Sequence, residues 1–532
     1  MAFIANSNVG SSSIKIKNII PPLPLSPGQY EIPERYKNSF YLANAAFFDS
    51  TNWFLHRAYE VIFPTIEEKM RSIRPKLNKD EIFSKTEGMV NILDQCNSVI
   101  DIRFPVKRDN GKYEMIRGFR ANHGLASGFR ACLGGFRIHE NITRDDMKAL
   151  SVLSTYKNAC VGVNMAGAHG GLKIRPQNYS VDELRNIVER YASELVEKGY
   201  CSERDVVQPD INTSSREMSW ISNTFAKSTG SIYVAAGGKP PDYGGLENYD
   251  SMSSQGAYIA LQFCLGNEDL MKKCGLAVGL KGKTFIIQGL GKLGKPLARL
   301  LIKNGSICVG VKDHDAYIYD ARGIDLEKLL EHKNHTGSIK NFGLCKELTD
   351  DNIYKEECDI LILAARQKSL VCHIARDVKA KLILEASDGP ITPSAHKILT
   401  SKSKLVVPDI YSCSGSTIAS YLEYIWNLQH AGSTNMDVLR FSSDIYGDAL
   451  KQMADFQQKL ALISPSHENH FDTTIVDEKI VSNTIEKILH TAGSEMLEIT
   501  NSHNLGTDIR TAAYMVAIDT IFKALFHDQK FI

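Results

Sequence analysis

Glycine-rich segments in the first half of the chain carry polar side chains of types that can act on a ligand. The candidates are Lys157, His169 and Asp210, which supply a cation, an imidazole and a carboxylate. Glycine-rich loops and element ends can hold such groups close to a ligand. These residues predict a site of acid and base chemistry, with surface loops that only hydrogen-bond locally as the alternative. The segments are GGFR at 134–137, TYK at 155–157, GAHGG at 167–171 and PD at 209–210.

A glycine motif later in the chain is typical of dinucleotide binding. GLGKLG directly follows the apolar run TFIIQ and precedes a helical stretch. In such a motif Gly289 turns the chain, Gly291 lets the backbone approach a pyrophosphate, and Gly294 lets the helix pack on the strand. Asp313 ends the next apolar run, where a carboxylate accepts hydrogen bonds from ribose hydroxyls. The motif predicts a nicotinamide dinucleotide site: Asp313 favours NAD, and Lys312 beside it leaves NADP open.

Two local patterns predict the elements that must position the first set of residues. Asn110 and Gly111 lie between two apolar runs and predict a β-hairpin closed by a type I′ turn. Thr143 stands three residues before Asp146, a pairing that predicts a capped helix. Apolar residues at helical spacing follow, so this helix carries Lys157 near its C-terminal end.

Apolar residues recur at helical spacing between residues 40 and 92. Beyond residue 254, short apolar runs alternate with helical stretches. Near-continuous apolar runs are expected where helices cover both faces of a parallel sheet. The second half therefore predicts a doubly wound α/β domain, followed by helices at 482–500 and 511–524. The five runs are TFIIQ from 284, ICVGV from 307, DILIL from 359, KLIL from 381 and KLVV from 404.

Composition narrows the classes of function. The 532 residues are too many for one compact core and predict two or three domains. Sixty-two Lys and Arg balance 61 Asp and Glu, so no global field favours nucleic acid or a membrane surface as a partner. Eleven cysteines without a CxxC pair suit neither a disulfide framework nor a zinc site, and we expect no metal.

Taken together, the motifs resemble those of the glutamate dehydrogenase family of amino-acid dehydrogenases, from about residue 40 to the C-terminus. The resemblance implies an N-terminal substrate domain, a Rossmann-type nucleotide domain, a cleft between them, and usually a hexamer. The motifs are RGFRANH, LGGFRI, ALSVLSTYK, AGAHGGLKI, QPDINTSSREMSW, QGLGKLG, DILILAA, GPITPSA, PDIY and LGTDIRTAAY.

The resemblance also divides the chain and implies its setting. A lysine- and serine-containing N-terminus without acids before Glu31 is either a mitochondrial transit peptide or a terminal arm, so the protein is expected in the mitochondrial matrix or the cytoplasm. A homo-hexamer, or a mixed hexamer with a paralogue, is the expected assembly. The predicted segments are an arm at 1–39, a substrate domain at 40–252, a nucleotide domain at 253–430, a helical antenna similar to that of animal members at 431–500, and a returning C-terminal helix at 501–532.

The family reaction removes a hydride from the α-carbon of L-glutamate and yields 2-oxoglutarate and ammonia with NAD or NADP. By position, Lys157 resembles the lysine that holds the substrate α-carboxylate and Asp210 the aspartate that shuttles protons. Ser420 resembles a serine that helps hold the side-chain carboxylate. Gly289, Gly291, Gly294 and Asp313 form the implied cofactor set.

Two lysines of the family pattern are replaced. His169 stands where the family has the lysine that activates the hydrolytic water, and its ordinary pKa of about 6.5 still suits a base. Leu133 stands where glutamate-specific members have the lysine that pairs with the γ-carboxylate. A carboxylate buried against leucine without a cation costs several kcal/mol, so we expect weak binding of glutamate.

Two further departures lie on the cofactor side. Cys413 replaces the asparagine that holds the nicotinamide carboxamide, and its thiol bonds weakly. Asp388 replaces the asparagine of an EGANGP-like run and adds a charge near the cofactor. The sequence therefore predicts a glutamate dehydrogenase-like oxidoreductase with reduced or altered activity. The alternatives are an impaired paralogue that acts as a structural or regulatory subunit, and a dehydrogenase of an apolar amino acid.

Overall fold

The computed structural model describes residues 30–124, 128–230, 234–348, 350–428 and 473–527. The first part of these residues is helical, as the apolar spacing predicts. Asn78 and Glu81 form a capping box at the start of the fourth helix, which explains why it begins there. The helices are α1 Glu34–Lys37, α2 Ser39–Asn44, α3 Phe47–Ile73 and α4 Lys79–Leu93. Most of the predicted arm, residues 1–29, lies outside the described residues.

Five strands form the first sheet, in the order β1-β2-β4-β3-β5. β1 pairs with β2 and β2 with β4 in antiparallel fashion, whereas β3 is parallel to both of its neighbours. The carboxyl ends of β3, β4 and β5 therefore lie side by side at one edge. The strands are β1 Ser98–Lys107, β2 Tyr113–His123, β3 Cys132–Ile138, β4 Ala166–Leu172 and β5 Asp205–Pro209.

The hairpin between β1 and β2 is confirmed, but the type I′ turn is wrong. Arg108 N donates to Lys112 O and Gly111 N donates to Arg108 O, each at 2.8 Å. The loop between the bonded residues Arg108 and Lys112 therefore has three residues. Within this connection only Gly111 has a positive φ, of 80°. A three-residue loop of this kind combines a type I turn with a left-handed glycine, so Asn110 does not need the positive φ that a type I′ turn requires.

Three longer helices pack on the first sheet. The predicted cap of α5 is confirmed, because Thr143 Oγ1 accepts from Asp146 N and the Asp146 carboxylate accepts from Thr143 N. Lys157 lies in the last turn of α5, as expected. The helices are α5 Arg144–Cys160, α6 Val181–Glu197 and α7 Ser215–Thr229, and short 3₁₀ turns occupy Pro176–Asn178 and Pro241–Tyr243.

Seven strands form the second sheet, in the order β12-β11-β10-β6-β7-β8-β9. All five predicted runs form parallel strands, and the predicted α/β doubly wound sheet is confirmed. The strand order reverses between β6 and β10, the kind of switch point at which open α/β sheets bind ligands. The antiparallel pair β8 and β9 was not expected, because each has only three residues. The strands are β6 Thr284–Gln288, β7 Ile307–Lys312, β8 Tyr317–Tyr319, β9 Lys346–Leu348, β10 Ile360–Leu363, β11 Leu382–Glu385 and β12 Leu405–Val407.

Helices cover the second sheet and return to the first. The two predicted C-terminal helices are confirmed as α16 and α17, while most of the predicted antenna, residues 431–472, lies outside the described residues. The helices are α8 Tyr249–Gly266, α9 Glu268–Cys274, α10 Gly294–Lys303, α11 Leu326–Thr336, α12 Cys372–Ala375, α13 Pro393–Ser401, α14 Asp409–Ser412, α15 Gly415–Leu428, α16 Thr473–Ser502 and α17 Ile509–His527, with a 3₁₀ turn at Asp350–Lys355.

Two negative findings hold for the described ranges. None of their helices has the length and apolar character needed to cross a bilayer. Nowhere in the same ranges do three or more His, Cys, Asp or Glu side chains come together as metal ligands.

Candidate active site

His169 and Asp210 meet at the carboxyl edge of the first sheet. His169 lies on β4 and Asp210 directly follows β5, with β3 between the two strands. The gap between them is kept by Gly135 on β3, because a Cβ there would lie 2.4 Å from His169 Cε1 and 3.1 Å from Asp210 Cβ. The second glycine of the GGFR segment therefore gives the imidazole and the carboxylate room to touch.

A single carboxylate oxygen of Asp210 contacts both His169 and Arg137. Asp210 Oδ2 lies 2.9 Å from His169 Nε2 and accepts from Arg137 Nε at 2.7 Å. Burial raises the pKa of the Asp210 carboxyl, but the charges and hydrogen bonds of Arg137 and His169 outweigh burial and hold that pKa below its ordinary value. Asp210 is therefore an ionised acceptor at neutral pH, already bonded to two donors.

The ring of His169 has one nitrogen bonded and one unbonded. The residue is buried, and burial lowers the pKa of its ring by more than the bond to Asp210 raises it. The ring is therefore neutral at pH 7, and its Nε2 carries the proton because ionised Asp210 only accepts. Nδ1 is left as a buried lone pair with no hydrogen-bond partner among the described residues. That atom can accept a proton from a bound water or substrate.

Lys157 is held by a side chain from the other sheet. Its Nζ lies 2.8 Å from Oδ1 of Asp388, which follows β11. Burial lowers the pKa of Lys157, but Asp388 outweighs burial and raises that pKa above its ordinary value. The charge of Asp388 also acts on His169 and Arg137. The Lys157–Asp388 ion pair therefore interacts electrostatically with the Asp210 cluster, which consists of Asp210, His169 and Arg137.

Leu133 and Ser420, the other two predicted substrate residues, are both buried. Leu133 on β3 is 1% exposed and belongs to the main apolar core. Ser420 on α15 is fully buried and its Oγ lies 2.7 Å from the hydroxyl of Tyr249. Three residues later, Glu423 forms a fully buried ion pair with Lys239. Tyr249 therefore holds the Ser420 hydroxyl in place, and no local sequence motif indicates this partner.

The glycine loop fits a dinucleotide. It follows β6 at the switch point of the second sheet, and α10 begins at Gly294. A Cβ on Gly289 would lie 2.7 Å from Ala364 O, and one on Gly294 would lie 1.9 Å from Gly289 O. A Cβ on Gly291 would meet no atom within 4 Å. Gly289 and Gly294 are thus required by the fold, whereas Gly291 faces open space where a pyrophosphate can approach the backbone.

Asp313 has a partner that sequence order does not suggest. Lys333 on α11 places its Nζ 2.6 Å from Asp313 Oδ2. Lys312, the neighbour that kept NADP open, instead places its ammonium 4.6 Å from the ring centres of Tyr317 and Tyr354. The cation nearest to the predicted ribose carboxylate is therefore Lys333.

Cys413 follows α14 and lies close to the Lys157 ion pair. Burial is the main cause that raises the pKa of its thiol, and the charge of Lys157 opposes it. Its Sγ lies 3.8 Å from Glu385 O, a weak contact. The thiol stays protonated and supplies a small, nearly apolar surface where the family pattern has an amide.

The glycine loop also contacts the edge of the first sheet. Lys292, inside the motif, donates from Nζ to Thr213 O at 2.8 Å. Thr213 Oγ1 accepts from Asp210 N, also at 2.8 Å. The dinucleotide motif and the acid/base cluster are therefore joined through one residue. Arg137 belongs to the GGFR segment, which the sequence predicts to be part of the site, but no sequence pattern indicated the role of Thr213.

Comparison with known proteins agrees with this arrangement. The family model described as glutamate/leucine/phenylalanine/valine dehydrogenase matches residues 244–464, and the model of the dimerisation domain of these enzymes matches residues 96–227. The mitochondrial glutamate dehydrogenase of Dictyostelium discoideum is 32% identical over 449 residues, 83% of this chain and 88% of the relative.

Two further relatives extend the comparison. The NADP-specific glutamate dehydrogenase of Saccharolobus shibatae is 30% identical over 368 residues, 69% of this chain and 84% of the relative. The hetero-hexameric glutamate dehydrogenase of Thermus thermophilus, solved in a leucine-bound form, superposes with a TM-score of 0.66 at 26% identity, over 82% of this chain and 91% of that one. The sheets, the glycine loop and these matches together show that the chain belongs to the glutamate dehydrogenase family within the glutamate/leucine/phenylalanine/valine dehydrogenases.

Proposed function

We propose that this protein is a glutamate dehydrogenase-like oxidoreductase that interconverts L-glutamate with 2-oxoglutarate and ammonia, using NAD or NADP. The observation that carries the proposal is the contact through Thr213, which joins the glycine loop at Lys292 to Asp210. A dehydrogenase must place its cofactor beside the groups that move protons, and the contact through Thr213 supports such a placement of the glycine loop relative to Asp210. When bound, the nicotinamide supplies the acceptor for a hydride from the substrate α-carbon.

The residues of the chain divide the remaining work. The Lys157 ammonium, kept charged by its raised pKa, attracts a substrate carboxylate. Asp210 is ionised and lies within hydrogen-bond distance of Arg137 and His169, so it can exchange protons with the substrate amine and a neighbouring donor. His169 Nδ1 is the free base of the cluster and can accept the proton of a water that attacks the imine carbon.

The substitution of lysine by His169 alters this chemistry. The ring is fixed by its bond to Asp210 and by the close approach of Gly135, so it lacks the reach of a lysine stem. Leu133 adds a second change, because a buried, uncharged side chain stands where glutamate-specific members of the family have a cation for the side-chain carboxylate. We therefore propose that turnover of glutamate is low compared with members that keep both lysines.

A paired assay tests the proposed activity. The wild type and the double variant Leu133→Lys/His169→Lys are compared for reduction of NAD and NADP with L-glutamate, L-leucine and L-phenylalanine. We expect slow but measurable turnover of glutamate by the wild type and turnover at least about 10-fold faster by the double variant, since a positioned base and a buried cation each contribute large factors. Leu344→Lys is the matched control, because Leu344 is 61% exposed.

The outcomes of this assay distinguish the three possible functions of the protein. Faster turnover of leucine or phenylalanine than of glutamate by the wild type would show a dehydrogenase of apolar amino acids. No turnover by the wild type, together with restored turnover by the double variant, would show an impaired paralogue. Equal turnover of glutamate by both proteins would overturn the proposal that the two substitutions limit the reaction.

We also propose the assembly, the location and the domain division as expected from the family. A homo-hexamer or a mixed hexamer with a paralogue is supported by the hetero-hexameric assembly of the Thermus thermophilus relative. A mitochondrial matrix location is supported by the mitochondrial relative from Dictyostelium discoideum. The substrate domain at 40–252, the nucleotide domain at 253–430 and the antenna at 431–500 remain predictions. Mass photometry of the purified chain, with cell fractionation, tests assembly and location.

A further inference from the structure

The ion pair between Lys157 and Asp388 links an element beside the first sheet to one beside the second. Lys157 belongs to the last turn of α5, beside the first sheet, while Asp388 follows β11 of the second. The Lys157 side chain is 10% exposed and that of Asp388 is 24% exposed, so the pair is largely withdrawn from water. A withdrawn ion pair is much less screened than a surface pair. The contact therefore affects any ligand that needs the Lys157 ammonium.

The backbone that carries Asp388 is firmly held. The next residue, Gly389, donates from N to Asp409 Oδ2 at 2.8 Å, and its carbonyl accepts from Lys368 N at the same distance. A Cβ on Gly389 would lie 2.3 Å from the ring of Phe47, which shows how tightly the loop packs. Because the backbone cannot shift easily, Asp388 can leave Lys157 only by rotating its own side chain.

The second cation of the cluster is also engaged. Arg137 donates to Asp210, so Arg137 and Lys157 each already have an internal carboxylate partner. The charges of Asp388 and Asp210 repel each other, and Lys157 and Arg137 compensate for this repulsion. A ligand that brings a further carboxylate to Lys157 must share the ammonium with Asp388 or displace it. In a site withdrawn from water, either outcome costs free energy.

We propose that Asp388 occupies the carboxylate-binding position on Lys157 and weakens the binding of carboxylate substrates. The inference rests on the proposed function, because the role of Lys157 toward substrate belongs to that proposal. An asparagine has almost the same shape as aspartate, carries no charge, and can donate a hydrogen bond to a carboxylate. Replacing Asp388 by asparagine therefore removes the competitor without emptying the site.

Calorimetric titration with glutarate, a dicarboxylate that cannot react, tests the proposal on the full-length protein without added cofactor. We expect Asp388→Asn to bind glutarate at least about 10-fold more tightly than the wild type, since the ligand no longer has to displace the internal partner of a largely buried ammonium. Asp242→Asn, a change on an exposed residue, is the matched control and should bind as the wild type does. Equal or weaker binding by Asp388→Asn would overturn the proposal.

A second background separates competition for Lys157 from a general structural effect. In proteins that carry Lys157→Met, the additional change Asp388→Asn should give less than a 2-fold gain, because the ammonium for which both carboxylates compete is absent. A gain as large as in the wild-type background would overturn the proposal, because Asp388 would then act through something other than Lys157.

Fluorescence titration with NADH and NADPH tests the proposed function separately. If no variant binds either cofactor, the proposed dehydrogenase function fails, while the glutarate affinities still decide the role of Asp388. If the cofactors bind but glutarate binds to no variant, the inference about Asp388 fails and the cofactor half of the proposed function stands.

Discussion

The two sides of the cleft follow the family pattern to different degrees. On the dinucleotide side, the glycine loop keeps every glycine, and the distances around Gly289 and Gly294 leave no space for a side chain. On the substrate side, His169 and Leu133 replace lysines, and Asp388 is bonded to the one lysine that remains. The glycine loop expected to hold the pyrophosphate is thus retained, although Cys413 replaces an asparagine at the nicotinamide end. On the substrate side, by contrast, two of the lysines expected to act on a carboxylate substrate are replaced.

The largest expected effect is on the substrate side. We expect Asp210→Asn to lower kcat by about 10²- to 10⁴-fold, the range typical of a lost proton-transfer group. The amide would also weaken the partnership with Arg137 and His169, which now share one carboxylate oxygen. Steady-state rates with saturating cofactor measure the effect, and an unchanged NADH affinity shows that the dinucleotide side is intact. A decrease in kcat of less than 3-fold would show that Asp210 does not transfer protons in the reaction.

Two glycines of the loop form a matched pair that tests the dinucleotide side. Gly294→Ala places a Cβ 1.9 Å from Gly289 O. It should therefore lower the free energy of unfolding by about 2–4 kcal/mol, with a lower melting temperature, and abolish NADH binding. Gly291→Ala places its Cβ in open space, so it should leave the melting temperature unchanged and weaken NADH binding by about 10-fold. Differential scanning fluorimetry and NADH fluorescence measure the two effects. Equal NADH affinity for Gly291→Ala and the wild type would show that no phosphate approaches this residue.

Sequence reasoning succeeded where the information is local. The cap at Thr143, the glycine loop and the five parallel strands depend on neighbours in sequence, and all are found in the structure. The sequence did not predict β3 and β4, because their glycine-rich segments suggested loops and element ends. It also did not predict β8 and β9, whose three residues each are too few for a periodic pattern. The Asn-Gly pair predicted a type I′ turn because composition alone does not reveal how many residues connect the strands.

The site shows the same division. Family motifs indicated which residues belong to the site, but not which side chains touch. The partners of Asp388 and Asp313 are Lys157 and Lys333, and these pairings arise from the packing of separate elements. A charge at position 388 was visible in the sequence. Its ion pair with Lys157 became visible only in the three-dimensional structure.

Lys333 offers a smaller test on the dinucleotide side. It partly neutralises Asp313, a carboxylate that would otherwise repel the 2′-phosphate of NADP. We expect Lys333→Ala to weaken NADPH binding by about 5- to 10-fold, the effect of removing one close cation, and to change NADH binding by less than 2-fold. Lys328→Ala, on the same helix and exposed, is the control. Equal loss for both cofactors would show that Lys333 supports the loop without selecting the cofactor.

The pH dependence of turnover gives the smallest effect. Because burial holds the pKa of the His169 ring below its ordinary value, the ring stays a neutral base until the pH falls below about 6.5 and loses that role as it becomes protonated. We expect kcat to be level above this pH and to decline on the acidic side. In His169→Gln the remaining activity should lack this acidic decline. A decline centred above pH 7 in the wild type would contradict a buried, neutral His169.

The most direct test of the account is the formation of reduced cofactor by the wild-type protein from L-glutamate and from L-glutamate deuterated at the α-carbon. We expect slow reduction of NAD or NADP that is slower still with the deuterated substrate, because the hydride comes from that carbon. The absence of reduced cofactor with both nucleotides, at any concentration of glutamate, would contradict the proposal that this chain is an oxidoreductase acting on glutamate.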